Sequence, residues 1–128
     1  MNHLLKNLTY FDPNGRMQLL EVLHTLVDKM PLPKLETYAD LVFLTLFVRL
    51  VNEDSTKCRE KCSVVIGVLV GKSSKRFVDT VLQMESDSAV LVNGKLQMLA
   101  LFGSMGKLTK QDIPRVIDLV DGIVSENA

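Results

Sequence analysis

The chain has 128 residues, of which 47% are hydrophobic and 23% are charged. It therefore has enough apolar material to bury a core, and its composition is not that of a disordered chain. Its 15 basic and 15 acidic residues cancel, whereas a free-standing nucleic-acid-binding domain usually carries a basic excess. The composition favours one folded domain over residues 1–128 and limits any RNA contact to a local basic patch.

The sequence offers no catalytic, cofactor or metal pattern. Cys58 and Cys62 lie four residues apart, which suits two buried thiols on one helix face better than a disulfide or a zinc site. No paired-ligand histidine motif and no glycine-rich phosphate loop is present. We therefore expect neither an enzyme nor a cofactor, metal or small-molecule site, and free thiols indicate a reducing compartment, the cytosol or nucleus.

Apolar residues spaced three and four apart predict about six helices, because that spacing places them on one helix face. Residues 41–51 are apolar nearly all round, which indicates contacts on several sides, and the run is too short for a membrane span of roughly 20 residues. The apolar face predicted for the first helix comprises Leu19, Val22, Leu23, Leu26, Val27 and Met30. The predicted helices, in chain order, cover 15–30, 34–51, 55–71, 74–85, 95–103 and 112–125.

Residues 89–98 fit two different structures. An apolar run at residues 89–92 followed by Asn93-Gly94 is typical of a β-hairpin with an Asn-Gly turn. The alternative is a loop or short helical turn up to Gly94 and then a helix from about residue 95. The helical pattern on both sides favours the second structure.

The predicted helix starts alternate with about 40 residues between equivalent positions, which is the period of HEAT repeats. This predicts an all-α fold of HEAT/armadillo-like helical hairpins, about three of them, stacked as a short α-solenoid. Such hairpins stack because each has an apolar face that only a neighbour can cover. A closed six-helix bundle is the alternative architecture.

Two local groups of basic residues are candidate contacts for RNA phosphates or an acidic partner. Lys57 and Lys61 lie in the first turns of the third predicted helix, and Lys72, Lys75 and Arg76 lie at its junction with the fourth. The alternative interpretation is a solvated basic face.

Three further residues are assigned structural roles at the turn between the second and third helices. Asn52 and Asp54 belong to the acidic turn itself, where Asp54 or Ser55 can cap the third helix. Arg59, in the first turn of that helix, is expected to stack between repeats with Asp54.

A set of residues in the first half of the chain carries a family resemblance. Tyr10 and Gly15-Arg16 precede a leucine-rich helix that ends near Pro31, and the run RLVNEDSTKCR follows at residues 49–59. Residues 3–60 thereby resemble the DRIM (down-regulated in metastasis) family, the very large HEAT-repeat component of the small-subunit processome. The likeness fades to a general helical pattern after Cys62.

The resemblance implies a non-catalytic scaffold segment in small-subunit ribosome biogenesis, located in the nucleus and nucleolus. It implies other ribosome-assembly proteins as partners, together with pre-rRNA or small nucleolar RNA, and no membrane. Because members of the family are very large, it also implies that this chain is a fragment or a short relative. The other hypothesis is a generic HEAT/armadillo-type protein–protein adaptor without an RNA role.

Overall fold

The structure, a computed structural model, describes residues 1, 5–6, 12–84 and 88–127, with side chains described up to residue 122. Over these residues it contains six α-helices and no strand, so the all-α prediction is confirmed. In chain order the helices are α1 (Pro13–Lys29), α2 (Leu32–Asn52), α3 (Thr56–Lys72), α4 (Phe77–Gln83), α5 (Ala89–Ser104) and α6 (Ile113–Asn127).

The chain divides into two compact units, Met1–Lys75 and Arg76–Ala128. The first unit contains α1, α2 and α3, and the second contains α4, α5 and α6. The single repeat domain expected from composition and the solenoid stacking expected from the period both stay predictions.

Short oxygen-bearing side chains begin three of the helices by accepting a hydrogen bond from an amide of the first turn. Asp12 Oδ1 accepts from Gly15 N at 2.7 Å before α1. Ser55 accepts from Cys58 N at 3.4 Å before α3, and Ser88 accepts from Leu91 N at 3.1 Å before α5. Of the two caps expected for α3, the structure uses Ser55 and not Asp54.

In the first unit, α3 packs closely against both α1 and α2. The aromatic rings of Phe43 and Phe47 stack with centroids 6.3 Å apart, and Cys58 and Cys62 are buried free thiols. The side chains of Leu46, Phe47, Leu50, Ile66 and Leu69 are all buried in this core.

Two predictions about helix faces are wrong in part. The buried residues of α1 are Leu20, Leu23 and Val27, whereas Val22 and Leu26 of the predicted apolar face are exposed. On α2, which was expected to be covered on several sides, one face is open, because Leu41, Leu44 and Val48 are exposed by 43%, 41% and 56%.

The second unit is built on contacts between α4 and α5. The hairpin considered for residues 89–98 is wrong, and so is a helix start near residue 95, because α5 runs unbroken through Asn93-Gly94 from its cap at Ser88. Gly94 is buried, so this position packs inside the unit and forms no turn. The fourth helix is also shorter than the predicted 74–85, since residues 73–76 are not helical.

Candidate functional site

A buried ion cluster joins the start of α1 to the turn between α2 and α3. The Glu53 carboxylate, with a side chain 0% exposed, accepts from Arg16 Nε at 2.9 Å and from Arg16 Nη2 at 2.7 Å. Arg49 Nε lies 3.2 Å from Glu53 Oε2, and Ser55 N donates to Oε1 at 3.1 Å. This bidentate geometry is the strong form of a charge-assisted contact, so the cluster fixes the turn relative to α1.

The charge state of Glu53 follows from these contacts. Burial alone raises the pKa of this carboxyl, but the hydrogen bonds from Arg16 and Ser55 and the nearby Arg49 charge together hold it below its usual range. Arg16 responds in the opposite direction, because its hydrogen bond to Glu53 raises its pKa. Both groups are therefore charged at neutral pH, as a paired buried arginine and carboxylate require.

Two contacts with the same sequence separation hold α1 and α3 side by side. At one end, Cys58 Sγ lies 3.3 Å from the Pro13 carbonyl oxygen, 45 residues away. At the other, Lys72 Nζ donates to Val27 O at 2.9 Å, also 45 residues away, and to two neighbouring carbonyls. The two helices therefore run parallel and in register. Lys72, a candidate RNA contact, caps the C-terminus of α1.

Lys61 is likewise held within the first unit. Its ammonium lies 2.7 Å from His24 Nδ1 and 3.3 Å from Glu21 Oε2, and its side chain is 13% exposed. Because an ammonium only donates hydrogen bonds, His24 Nδ1 is the acceptor. This second candidate RNA contact thus forms part of the α1–α3 interface.

The segment after α3 is tied to α2. Lys75 Nζ lies 2.9 Å from Asp40 Oδ2, and the backbone amide of Ser74 donates to Glu36 Oε1 at 2.9 Å. Lys75 is 36% exposed and Asp40 is 68% exposed, so this ion pair is accessible to water and a partner can compete for Lys75.

In the second unit, the fifth basic candidate also has a carboxylate partner. Arg76 Nη2 donates to both oxygens of Asp112 at 2.8 Å, and Arg115 Nη1 lies 2.7 Å from Asp79 Oδ1. The amide of Thr109 lowers the pKa of Asp112 most; burial raises it, and the Thr109 hydroxyl and Arg76 lower it further, so the net shift is downward. The Asp112 carboxylate accepts hydrogen bonds from the amide and hydroxyl of Thr109 as well as from Arg76.

Four further residues that the sequence singled out are exposed to solvent. Lys57 and Arg59 are exposed on α3. Asp54 is paired with Arg16 at 3.2 Å with its side chain 90% exposed, and Asn52 Nδ2 donates to Val48 O at 2.9 Å. Asn52 is the last residue of α2, Asp54 lies in the turn after it, and the arginine that pairs with Asp54 is Arg16. Stacking of Arg59 between repeats stays a prediction.

A lysine that the sequence did not point to is buried in the second unit. Lys95, which is 3% exposed, donates to the Met84 carbonyl oxygen at 2.6 Å at the end of α4, and burial lowers its pKa. Met84 is the residue that ends α4. Lys95 therefore ties α5 to α4 by capping a helix C-terminus, as Lys72 does for α1.

The open face of α2 is the main surface feature that sequence reasoning missed. Its exposed side chains belong to the apolar run at residues 41–51, whose all-round apolar character suggested complete burial. The polar groups beside it bond within the helix, since Thr37 Oγ1 donates to Pro33 O at 3.2 Å and Arg49 Nη2 donates to Asn52 O at 2.8 Å. The face therefore presents apolar atoms and few free hydrogen-bonding groups.

Other kinds of site find no support in the described part of the chain. No group of three or more histidine, cysteine, aspartate or glutamate side chains there is placed to hold a metal ion. Among the helices searched over the same residues, none has the length and apolar character needed to cross a membrane. In comparisons with known proteins, no family model matches the chain, and no solved structure matches it.

Proposed function

We propose that this chain is a non-catalytic scaffold segment that binds assembly proteins during small-subunit ribosome biogenesis in the nucleolus. Its helices stack as HEAT/armadillo-like hairpins of a short α-solenoid, and binding surfaces lie on the outer helix faces. No cofactor, metal ion or small-molecule substrate takes part in this role.

The observation that carries this proposal is the coupling of the two stretches on which the DRIM resemblance rests. Arg16 of the first stretch and Glu53 of the second lie 37 residues apart in sequence, and their side chains form the bidentate contact. In the same run, Ser55 caps α3, and Cys58 Sγ lies 3.3 Å from the Pro13 carbonyl oxygen at the start of α1. The resemblance therefore rests on residues that build one structural junction, which supports a shared repeat architecture.

Parallel stacking of α1 and α3 supports the solenoid proposal. In a solenoid of hairpins, each repeat contacts its neighbours through equivalent helices. The helices α1 and α3 are separated by one intervening helix and lie in register at both ends, which is the relation expected of equivalent helices in consecutive repeats.

The state of the basic residues favours protein over RNA as the main partner. The side chains of Lys61 and Lys72 are bound inside the first unit, and those of Lys75 and Arg76 are paired with aspartates. Releasing an ion pair to contact a phosphate loses the energy of the existing contact. Among the five candidates, Lys57 is the residue best placed for an RNA phosphate.

The generic adaptor remains the second proposal, and the open apolar face of α2 favours it. A face of this chemistry fits an apolar protein surface and contributes nothing to phosphate binding. The adaptor role needs no nucleolar location and no RNA, so the identity of the partners separates the two proposals.

The test is affinity purification of the tagged chain from nuclear extract, with and without nuclease, read by quantitative mass spectrometry. We expect processome proteins to co-purify in both arms. A Lys57→Glu variant tests the RNA contact: it should reduce only recovery that nuclease also removes. Recovery of cytosolic transport or signalling proteins alone would reject the ribosomal proposal in favour of the adaptor.

A further inference from the structure

The open face of α2 has the properties of a docking surface for one kind of partner. We define this α2 outer face as Thr37, Leu41, Leu44, Thr45, Val48 and Asn52. Each of these residues lies three or four positions from another member of the set, which places them along one side of the helix. Leu41, Leu44 and Val48 are 41–56% exposed, and charged side chains are absent from the six positions.

The polar side chains at the two ends of the face already make hydrogen bonds within α2. Thr37 and Asn52 each bond to a backbone carbonyl of α2 itself. The Thr37 hydroxyl hydrogen and one amide hydrogen of Asn52 therefore keep their hydrogen bonds when a partner supplies apolar side chains, which lowers the desolvation penalty of docking.

A recess beside the face gives it shape. Leu41 and Thr45 line an open cavity of about 360 Å³ together with Leu5 and Lys6. Leu5 N donates to Met1 O at 3.1 Å, and Leu5 and Lys6 form the wall of the recess opposite Leu41 and Thr45. A second helix packs against a ridge and an adjacent recess by placing its own side chains in the grooves between neighbouring rows of side chains.

The charged side chains at the edge of the face determine whether a positively or a negatively charged partner is favoured. Of the four charged side chains of α2, Glu36 accepts from Ser74, Asp40 pairs with Lys75, and Arg49 lies against Glu53. Within the described residues, the side chain of Lys34 has neither an ion-pair nor a hydrogen-bond partner, and Lys6 is exposed at the recess. The uncompensated charge bordering the face is therefore positive.

From these observations we infer that the α2 outer face docks an acidic amphipathic helix of a partner protein. The partner's apolar stripe covers Leu41, Leu44 and Val48, with one large apolar side chain in the recess, and its carboxylates meet Lys34 and Lys6. The inference rests on the proposed protein-binding role but not on its ribosomal setting. Charges of opposite sign at the rim of an apolar contact mainly set partner choice and association rate.

The test uses two synthetic helical peptides of about 18 residues, long enough to span the face. Both carry the same leucine stripe, and their remaining positions are glutamate in one and lysine in the other. Fluorescence anisotropy with the full chain should show tighter binding of the glutamate peptide by about tenfold, which corresponds to a small difference in free energy.

Matched variants locate the binding site. Leu44→Glu should weaken binding of the glutamate peptide by about tenfold or more, whereas Val64→Glu, on the exposed face of α3 with Val64 48% exposed, should leave it unchanged. Lys34→Glu should reduce the preference for glutamate over lysine. Circular dichroism confirms that each variant is folded, and Leu41→Ala replaces Leu44→Glu if the latter does not fold.

Three results would overturn the inference. They are equal affinity for the two peptides, equal weakening by Val64→Glu and Leu44→Glu, and concentration-dependent self-association in sedimentation that Leu44→Glu abolishes, since a second copy of the chain would then cover the face. If processome proteins co-purify with the chain but neither peptide binds, this inference is rejected and the ribosomal proposal stands. If the glutamate peptide binds but no processome protein co-purifies, the ribosomal proposal is rejected and this inference stands.

Discussion

Each of the two units contains a buried carboxylate just before a helix, but the two carboxylates lie in different surroundings. Glu53 precedes α3 and meets Arg16 and Arg49, whose side chains are 11% and 13% exposed. Asp112 precedes α6 and meets Arg76, which is 45% exposed, and its other donors come from Thr109. The first cluster is withdrawn from water, and the second lies at the surface.

This difference teaches which ion pair the fold depends on. When one partner of a buried pair is removed, the other is left as an uncompensated charge, and the loss is large. When the removed partner is half exposed, water replaces it and the loss is small. Similar distances of 2.7 Å for Arg16–Glu53 and 2.8 Å for Arg76–Asp112 therefore conceal unequal contributions to stability.

The largest effect we expect concerns the core of the first unit. Phe47→Ala removes a side chain that is 1% exposed and stacked on Phe43, and it should lower the free energy of unfolding by roughly 3–5 kcal/mol. Val48→Ala, at the adjacent exposed position, should change it by less than about 0.5 kcal/mol. Urea denaturation followed by circular dichroism measures both, and equal losses would mean that α2 does not bury the face described.

The next effect compares the two carboxylates directly. Arg16→Met should destabilise the chain by about 3 kcal/mol, because Glu53 loses its bidentate partner in a buried site. Arg76→Met should destabilise it by only about 0.5 kcal/mol, since Thr109 still donates to Asp112. Chemical denaturation of both variants provides the measurement.

The double variant Arg16→Met/Glu53→Met serves as the control for that comparison. Removing both side chains should restore part of the stability lost in Arg16→Met alone, because no carboxylate is then stranded, but not all of it, because Arg49 loses its Glu53 partner. A larger loss for Arg76→Met than for Arg16→Met would reverse the ranking of the two clusters.

A smaller effect is expected at the C-terminal cap of α1. Lys72→Met removes an ammonium that donates to three carbonyl oxygens, and it should lower the free energy of unfolding by about 1 kcal/mol. Lys57→Met, at an exposed position of α3, should have almost no effect on the free energy of unfolding. Thermal unfolding distinguishes the two, and indistinguishable midpoints would show that Lys72 contributes no capping energy.

The last effect emerges only in acid. The pKa values of Glu53 and Asp112 are both lowered in the folded protein, so their contribution to stability is complete above the carboxyl pKa of the unfolded chain and is lost as pH falls through the lower folded values. The stability difference between the wild-type chain and Asp112→Asn should therefore shrink as pH falls below the ordinary carboxyl pKa of about 4. A difference that stays constant below that pH would contradict the assigned charge state of Asp112.

Local features of the fold were predictable from the sequence. The cap at Ser55, the proline at Pro31 and the apolar spacing place α1, α2 and α3 within a few residues of their observed bounds. The prediction failed at Asn93-Gly94, where a strong turn dipeptide lies inside α5. Burial of Gly94 and Lys95 in the unit outweighs the local turn preference.

The state of the candidate site was not predictable, because it depends on contacts between distant residues. Lys61, Lys72, Lys75 and Arg76 form a basic group in sequence, but their partners lie 35 to 45 residues away along the chain. The spacing of apolar residues also cannot tell which part of an apolar helix remains open. The α2 outer face therefore became visible only from the packing of the first unit.

The anchors at the two ends of α1 and α3 bear on how the sequence can change in length. Both anchors join residues separated by the same 45 positions. Deleting one residue inside either helix shifts everything beyond it by about 1.5 Å along the axis and turns it by about 100°, which carries Lys72 away from the end of α1. Substitutions on the outer surfaces of α1 and α3 therefore leave the anchors in place, whereas a change in the length of either helix does not.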